Sequence, residues 1–138
     1  MRNELSVFFS NPATDPLGKQ VVEGRLFCGP DYVELQYKVR DRAFKKNDAT
    51  EIRFDYSEVE MVDFNSPWIG PKILTFQVRE TDKLKSFPGA KVGKIELHVT
   101  KASRDDAKKA QSFIEYHQSE AYLRERDADL RSSRDDLI

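Results

Sequence analysis

The sequence has few of the residues from which disulfides, metal sites and histidine-based catalytic centres are built. Its 138 residues include one cysteine, Cys28, and two histidines, His98 and His117. A single cysteine excludes an internal disulfide and a multi-cysteine metal site, and it favours a reducing compartment, which we expect to be the cytoplasm. Two histidines without a cysteine or carboxylate at ligand spacing do not make a zinc shell, so we expect no metal.

Glycine-rich and long apolar segments are also lacking. The six glycines are scattered, and no phosphate-binding loop of the Gly-x-Gly-x-x-Gly or Gly-x-x-x-x-Gly-Lys type is present. The apolar segment 5–9 is too short for a signal-peptide core, and no later segment approaches a membrane span. The 23 basic and 24 acidic residues give a net charge of -1, which argues against nucleic acid as the main partner.

No arrangement of side chains predicts catalysis. A nucleophile turn of the Gly-x-Ser-x-Gly type is absent, His98 falls on the wet face of a strand, and His117 falls on the inner stripe of a helix. Asp105 and Asp106 are adjacent, so on a helix they point about 100° apart and do not form a catalytic pair. We therefore expect a protein that is not an enzyme and holds no cofactor.

The sequence does contain short segments in which apolar and polar residues alternate. The clearest is 33–39, whose period of two is typical of a half-buried strand. The same alternation occurs in residues 20–28, 52–56, 62–64, 73–78 and 92–99. A lead-in of residues 1–19 contains the segment 5–9, a candidate edge strand. Short turns, such as the one at residues 28–31, predict a succession of antiparallel neighbours.

A helix is predicted directly after the last strand. Ser103 is the expected N-cap, and Asp105 and Asp106 fall in the first turn, where the helix dipole favours negative charge. An advance of about 100° per residue then gives one apolar stripe. Its members are Ala107, Ala110, Phe113, Ile114, His117 and Ala121.

At most seven strands followed by one helix predict a single mainly β domain, a partly open antiparallel barrel capped by a C-terminal amphipathic helix. This order resembles the pleckstrin-homology-like fold over residues 20–122. The resemblance is carried by the alternating segments, the break at residues 56–59, and the strand 95–100 that runs into the helix. The chain looks most like bacterial pleckstrin-homology-like proteins of poorly known role.

Trp68 and Ile69 lie in a loop with two prolines and a glycine, and they are candidate interaction residues because tryptophan is enriched in binding hot spots. The alternative is that Trp68 folds over the open end of the barrel, where its burial would stabilise a small domain.

A second candidate interaction surface lies in the charged tail, residues 123–138, which is either a helix extension or disordered. Leu123, Leu130 and Leu137 recur there every seven residues. This spacing indicates self-association through a short coiled coil, but two intervals are fewer than the three to four heptads typical of one, and so polar a segment more often frays or projects into solvent.

Basic residues around one strand end form a candidate weak anion contact. They are Lys38, Arg40, Arg42, Lys45 and Lys46. Lys38 and Arg40 copy the Lys-x-Arg spacing of pleckstrin-homology-like proteins that bind phosphoinositides, but they fall at the far end of their strand from the short 28–31 turn. We expect at most a weak, salt-sensitive contact with a membrane.

The sequence thus favours a non-enzymatic interaction or assembly module whose partner is another protein or a second copy of the chain. The rival interpretation is a small-ligand carrier or cryptic enzyme that uses a cavity within the barrel.

Overall fold

The computed structural model describes residues 3–12, 20–41 and 49–136. These residues form seven strands, three short 3-10 turns and one long helix. The strands are β1 (Leu5–Asn11), β2 (Gln20–Cys28), β3 (Tyr32–Asp41), β4 (Thr50–Asp55), β5 (Val59–Asn65), β6 (Ile73–Val78) and β7 (Lys94–His98). The turns are Tyr56–Glu58, Thr81–Leu84 and Lys101–Ser103, and the helix α1 is Arg104–Asp136.

The strands form two antiparallel sheets, in the orders β1-β2-β3-β4 and β5-β6-β7. The sheets meet where β1 passes β7, since Phe9 and Val99 form an antiparallel bridge. The Asn11 side chain strengthens this junction: it donates to Glu96 O and accepts from His98 N, each at 2.8 Å. On the opposite side, β4 and β5 belong to different sheets and are connected through a 3-10 turn, on which α1 packs.

The alternation predicted from the sequence is confirmed by the core, which fills the space between the sheets. Every strand contributes buried side chains, among them Val7, Leu26, Leu35, Phe54, Val62, Leu74, Phe76, Ile95 and Leu97. The rings of Phe54 and Phe76 join the two sheets edge to face, with centroids 5.5 Å apart. Burial of this apolar surface is the main favourable term in the folding of the domain.

The inner stripe of α1 covers the barrel in the register that the sequence predicts. Ala107, Ala110 and Ile114 are fully buried, whereas Phe113 and His117 are partly buried at the edge of the contact. Of the two adjacent members of the predicted stripe, Ile114 therefore lies in the core and Phe113 packs against its edge.

Ser103 connects the start of α1 to the first strand. Its Oγ accepts a hydrogen bond from Phe8 N at 3.0 Å, so the hydroxyl that we expected to cap the helix contacts β1. Asp105 and Asp106 occupy the first turn as predicted, and Asp106 Oδ2 also accepts from Ser6 N at 3.4 Å. These bonds fix the direction in which the helix leaves the barrel.

The chain is thus a mainly β structure of seven antiparallel strands in two sheets, capped by a C-terminal helix. This architecture confirms the fold class predicted from the sequence. It is also consistent with a pleckstrin-homology-like topology.

Candidate interaction surfaces

The loop of residues 66–72, here named the Trp68 loop, joins β5 to β6 and carries the two most exposed large apolar side chains of the described residues. Trp68 is 96% exposed and Ile69 is 86% exposed. Of the two alternatives drawn from the sequence, the structure has the indole in solvent and not folded over the barrel end. Two adjacent apolar side chains therefore project from one loop tip.

The base of this loop is fixed although its tip is free. Lys72 Nζ donates to Pro67 O across the base. Val99 N, which follows β7, donates to Lys72 O at 2.9 Å. Gly70 has a φ of 108°, which a side chain rarely tolerates, and Pro71 follows it. The hydrogen bonds at the base and the restricted backbone at Gly70 and Pro71 therefore hold the loop conformation, and burial of Trp68 is not required for it.

Leu123 and Leu130 lie where α1 extends beyond the barrel. Every side chain from 122 to 130 is exposed, so none of them is buried against another described element, although Arg124 lies 4.0 Å from Glu120 one turn earlier in α1. Leu137 lies outside the described residues. Tyr116, which is also exposed, occurs seven residues before Leu123 and was missed by our sequence interpretation, although the heptad spacing extends to it.

Lys38 and Arg40 share the outer face of β3, near its C-terminal end. Both lie beside Glu23 of β2: Lys38 is its register partner, and Arg40 forms an ion pair with its carboxylate. An exposed pair of this kind contributes little to stability, but it reduces the positive potential available to an anion. Arg42, Lys45 and Lys46 lie outside the described residues.

His117 borders a cleft of about 240 Å³ between α1 and the 3-10 turn after β4. Its imidazole stacks on the Tyr56 ring, with centroids 4.8 Å apart and planes inclined by 20°, and its Nδ1 lies 3.9 Å from Glu120 Oε2. Asp31 and Asp55 also line the cleft. These contacts make His117 a packing residue at the edge of an acidic cleft.

Tyr56, which lines this cleft, and Cys28 are both buried. Burial, reinforced by Cys28 and Asp31, raises the pKa of the Tyr56 phenol, whose hydroxyl donates to Gly29 O. Burial, with a smaller effect of Asp106, raises the pKa of the Cys28 thiol to about 12. Both groups stay protonated at neutral pH, so neither is activated for nucleophilic chemistry.

The outer face of the first sheet carries a polar cluster that sequence reasoning missed. Glu34 is buried although it points away from the core, because it accepts hydrogen bonds from Gln36 Nε2 and from Arg53, whose Nη2 is 3.1 Å away. The Arg53 guanidinium lies 4.0 Å from the centroid of the Tyr32 ring. The hydrogen bond from Gln36, together with Arg53, lowers the pKa of Glu34.

Arg25 extends this cluster toward β1. Its guanidinium lies 5.2 Å from the Phe27 ring and 6.0 Å from the Phe8 ring, and its Nη2 donates to Gln36 Oε1 at 3.2 Å. The arginines are thus already engaged by neighbours across the sheet. We interpret the cluster as cross-strand stabilisation of the sheet.

Two further properties concern the described residues as a whole. Within 3–12, 20–41 and 49–136, no group of three or more His, Cys, Asp or Glu side chains is arranged to hold a metal ion. In the same ranges, no helix combines the length and the apolar character needed to cross a membrane.

Comparisons with protein-family models, with curated proteins and with solved structures give no match for this chain.

Proposed function

We propose that this chain is a pleckstrin-homology-like module without enzymatic activity, which binds a protein partner through the Trp68 loop. The observation that carries the proposal is the nearly complete exposure of Trp68 and Ile69 at the tip of a loop whose base is fixed. The proposal keeps the cytoplasmic location expected from the sequence.

Burial of the exposed indole in a partner would contribute a large favourable free energy of binding. A tryptophan buries roughly 150–250 Å² when it enters a pocket. At about 25 cal/mol per Å², that area contributes on the order of 4–6 kcal/mol before the costs of association. Ile69 adds apolar area beside it. Aromatic anchors of this kind account for much of the affinity at protein interfaces.

The loop is also preorganised for binding in the free protein. Its two prolines restrict the backbone, and the Lys72 to Pro67 bond closes the base. A loop that is ordered in the free protein loses less conformational entropy on binding.

A protein pocket suits the loop better than a lipid surface. Membrane-binding loops combine apolar tips with several cations nearby, each of which adds about 1 kcal/mol near an anionic bilayer. Here the Lys72 ammonium is engaged by Pro67 O, and two exposed acids, Asp63 of β5 and Glu96 of β7, flank Thr75 of β6, the third residue after Lys72. Charge around the tip therefore gives little attraction to anionic lipid.

The rival interpretation, a ligand cavity within the barrel, finds less support. The inward side chains of both sheets and of α1 form one continuous cluster. A ligand inside this cluster would have to displace packed aromatic and aliphatic side chains. Protein interiors are packed as densely as organic crystals, so they leave little free volume for a ligand.

Site-specific photocrosslinking in the native cell tests the proposal. A photoreactive amino acid replaces Ile69 in one variant and Val92 in a matched control, because Val92 is 82% exposed and lies at the opposite end of β6. We expect a discrete crosslinked protein from position 69, absent from position 92 and lost when Trp68→Ala is added. Equal products from both positions, or none from position 69, would count against the proposal.

A lipid arm separates the other class of partner. Wild type and Trp68→Ala are sedimented with anionic liposomes at about 0.15 M salt, where the Debye length is about 8 Å. The proposal expects little sedimentation of either protein. Strong sedimentation of the wild type that is lost in Trp68→Ala would contradict the proposal, because it would show that the Trp68 loop binds a membrane and not a protein.

A further inference from the structure

Helix α1 carries a second apolar stripe, on the side that faces away from the barrel. Tyr116, Leu123 and Leu130 follow one another at intervals of seven residues and are 61%, 56% and 55% exposed. At about 100° per residue they lie within about 40° of one another, on the side opposite the buried Ile114. The helix thus has an inner stripe that covers the core and an outer stripe without cover among the described residues.

The projecting half of α1 is difficult to stabilise alone. From Tyr122 to the end of the helix at Asp136, about 15 residues extend roughly 22 Å beyond the barrel contact. Isolated helices of about this length are marginal in water. A helix that is solvated all round needs many favourable side-chain pairs or a partner along its apolar stripe.

We infer that the outer stripe pairs with the same stripe of a second copy of this chain, in a parallel arrangement. Leu123 then meets Leu123 of the second copy, and Leu130 and Tyr116 form equivalent layers on either side. Three layers over about 21 Å make a short seam, so the association depends on protein concentration. This inference does not depend on the Trp68 loop.

The charges beside the stripe favour the parallel direction. Arg126 falls about 60° to one side of Leu123 and Asp127 about 40° to the other. In a parallel pair with a two-fold axis along the helices, opposite flanks meet, so Arg126 of each copy lies near Asp127 of the other. In an antiparallel pair centred between the two leucines, like flanks meet and bring Asp127 near Asp127. Like charges placed so closely are destabilising.

The barrels do not obstruct such a pair. Each barrel packs on the side of its helix that carries Ala107, Ala110 and Ile114. The outer stripe lies on the opposite side, so two copies joined through it hold their barrels on opposite sides of the helix pair. The exposed Lys108 and Lys109 fall on the two flanks nearer the start of the helix and would repel. The contact is therefore centred on residues 116–130.

Cysteine crosslinking of the full chain distinguishes a parallel from an antiparallel pair of helices. Leu123→Cys places a thiol at the centre of the seam, and Glu125→Cys is a control on the barrel-facing side of the same exposed segment. Native Cys28 is buried and does not compete. We expect mild oxidation to convert Leu123→Cys into a disulfide dimer, to leave Glu125→Cys monomeric, and to give few mixed dimers between Leu123→Cys and Leu130→Cys.

Light scattering over a concentration series completes the test. Wild type is expected to dimerise, and Leu123→Glu with Leu130→Glu is expected to be a folded monomer because both side chains are exposed. Mixed dimers formed in place of Leu123→Cys homodimers would establish an antiparallel pair and overturn the inference. A wild-type protein that stays monomeric at every concentration would also overturn it.

Discussion

Gly24 of β2 lies directly against the backbone carbonyl of Gln36 in β3: a methyl group on Gly24 would come within 1.9 Å of Gln36 O. The Cα of its register partner Tyr37 would be 2.8 Å from the same group. Real Cβ atoms do not approach backbone so closely, so the two strands can hold this distance only with glycine at position 24.

Gly24→Ala is accordingly expected to destabilise the barrel by about 3 kcal/mol or more, the upper range for an overpacked core, because backbone atoms cannot move aside as a side chain can. Urea unfolding monitored by circular dichroism measures the change. Val21→Ala, on the same strand, is the control and should cost much less. A Gly24→Ala protein as stable as wild type would mean that the β2–β3 contact is looser than described.

Val92 should be replaceable with a gain in stability. It adopts a left-handed conformation, with a φ of 51°, in the exposed turn before β7. For a residue with a Cβ this conformation costs roughly 1–2 kcal/mol, and asparagine tolerates it better than valine does. We expect Val92→Asn to raise the free energy of unfolding by about 1 kcal/mol. Val92→Ala, which has no side-chain amide to hydrogen-bond the local backbone in this conformation, should change it less, and equal effects of the two would refute the explanation.

The register of α1 can be tested at two adjacent residues. Ile114 is fully buried, whereas Phe113 is partly exposed at the edge of the helix contact. Ile114→Ala is expected to cost about 2–5 kcal/mol through the cavity that it leaves. Phe113→Ala should cost less despite the larger side chain removed. The reverse order in equilibrium unfolding would contradict this register, because it would mean that Phe113 and not Ile114 fills the core.

Acid should weaken the domain through Glu34 and Glu58. The hydrogen bond from Gln36, with Arg53, lowers the pKa of Glu34. Burial alone would raise the pKa of Glu58, but hydrogen bonds from Lys83 and from Asp55 N outweigh it, so that pKa is also lowered from the ordinary 4.5. A carboxylate with a lower pKa in the folded state stabilises it above the unfolded pKa, and this stabilisation is lost as the pH falls through the folded value.

The free energy of unfolding should therefore be level above about pH 5 and decline below it. Glu34→Gln combined with Glu58→Gln should flatten the decline, although the double variant starts from a lower stability at neutral pH. Glu60→Gln, an exposed residue of β5, serves as the control. An unchanged slope in the double variant would assign the acid sensitivity to other groups.

The strands could be predicted because their signal is local. Alternation such as that of residues 33–39 reflects which side of one strand faces the core, and a chain with short turns leaves few ways to arrange its neighbours. The start and inner stripe of α1 are local in the same sense. Beyond the barrel, from residue 122 onward, the apolar periodicity of α1 is the same whether the helix is exposed to solvent or packs against a second helix. The sequence alone therefore does not decide between the two.

Two features of the surface could not be predicted for a different reason. Whether Trp68 folds back or projects depends on how the loop base is held, and there Ile73 pairs with His98 and Val99 N donates to Lys72 O, contacts between residues far apart in sequence. Glu34 alternates as an outward residue should, yet it is buried because the register brings Arg53 beside it and Gln36 donates from two residues away. Both outcomes depend on pairs that only the folded chain brings together.

Trp68 is the only tryptophan of the chain, so its fluorescence reports on the Trp68 loop alone. The decisive measurement is acrylamide quenching of this emission in the purified protein and in its complex with the partner captured at position 69. The account predicts quenching close to that of the unfolded chain for the free protein and strong protection in the complex. A shielded indole in the free protein, or one that stays fully quenchable in the complex, would contradict the proposal that the Trp68 loop is the binding anchor.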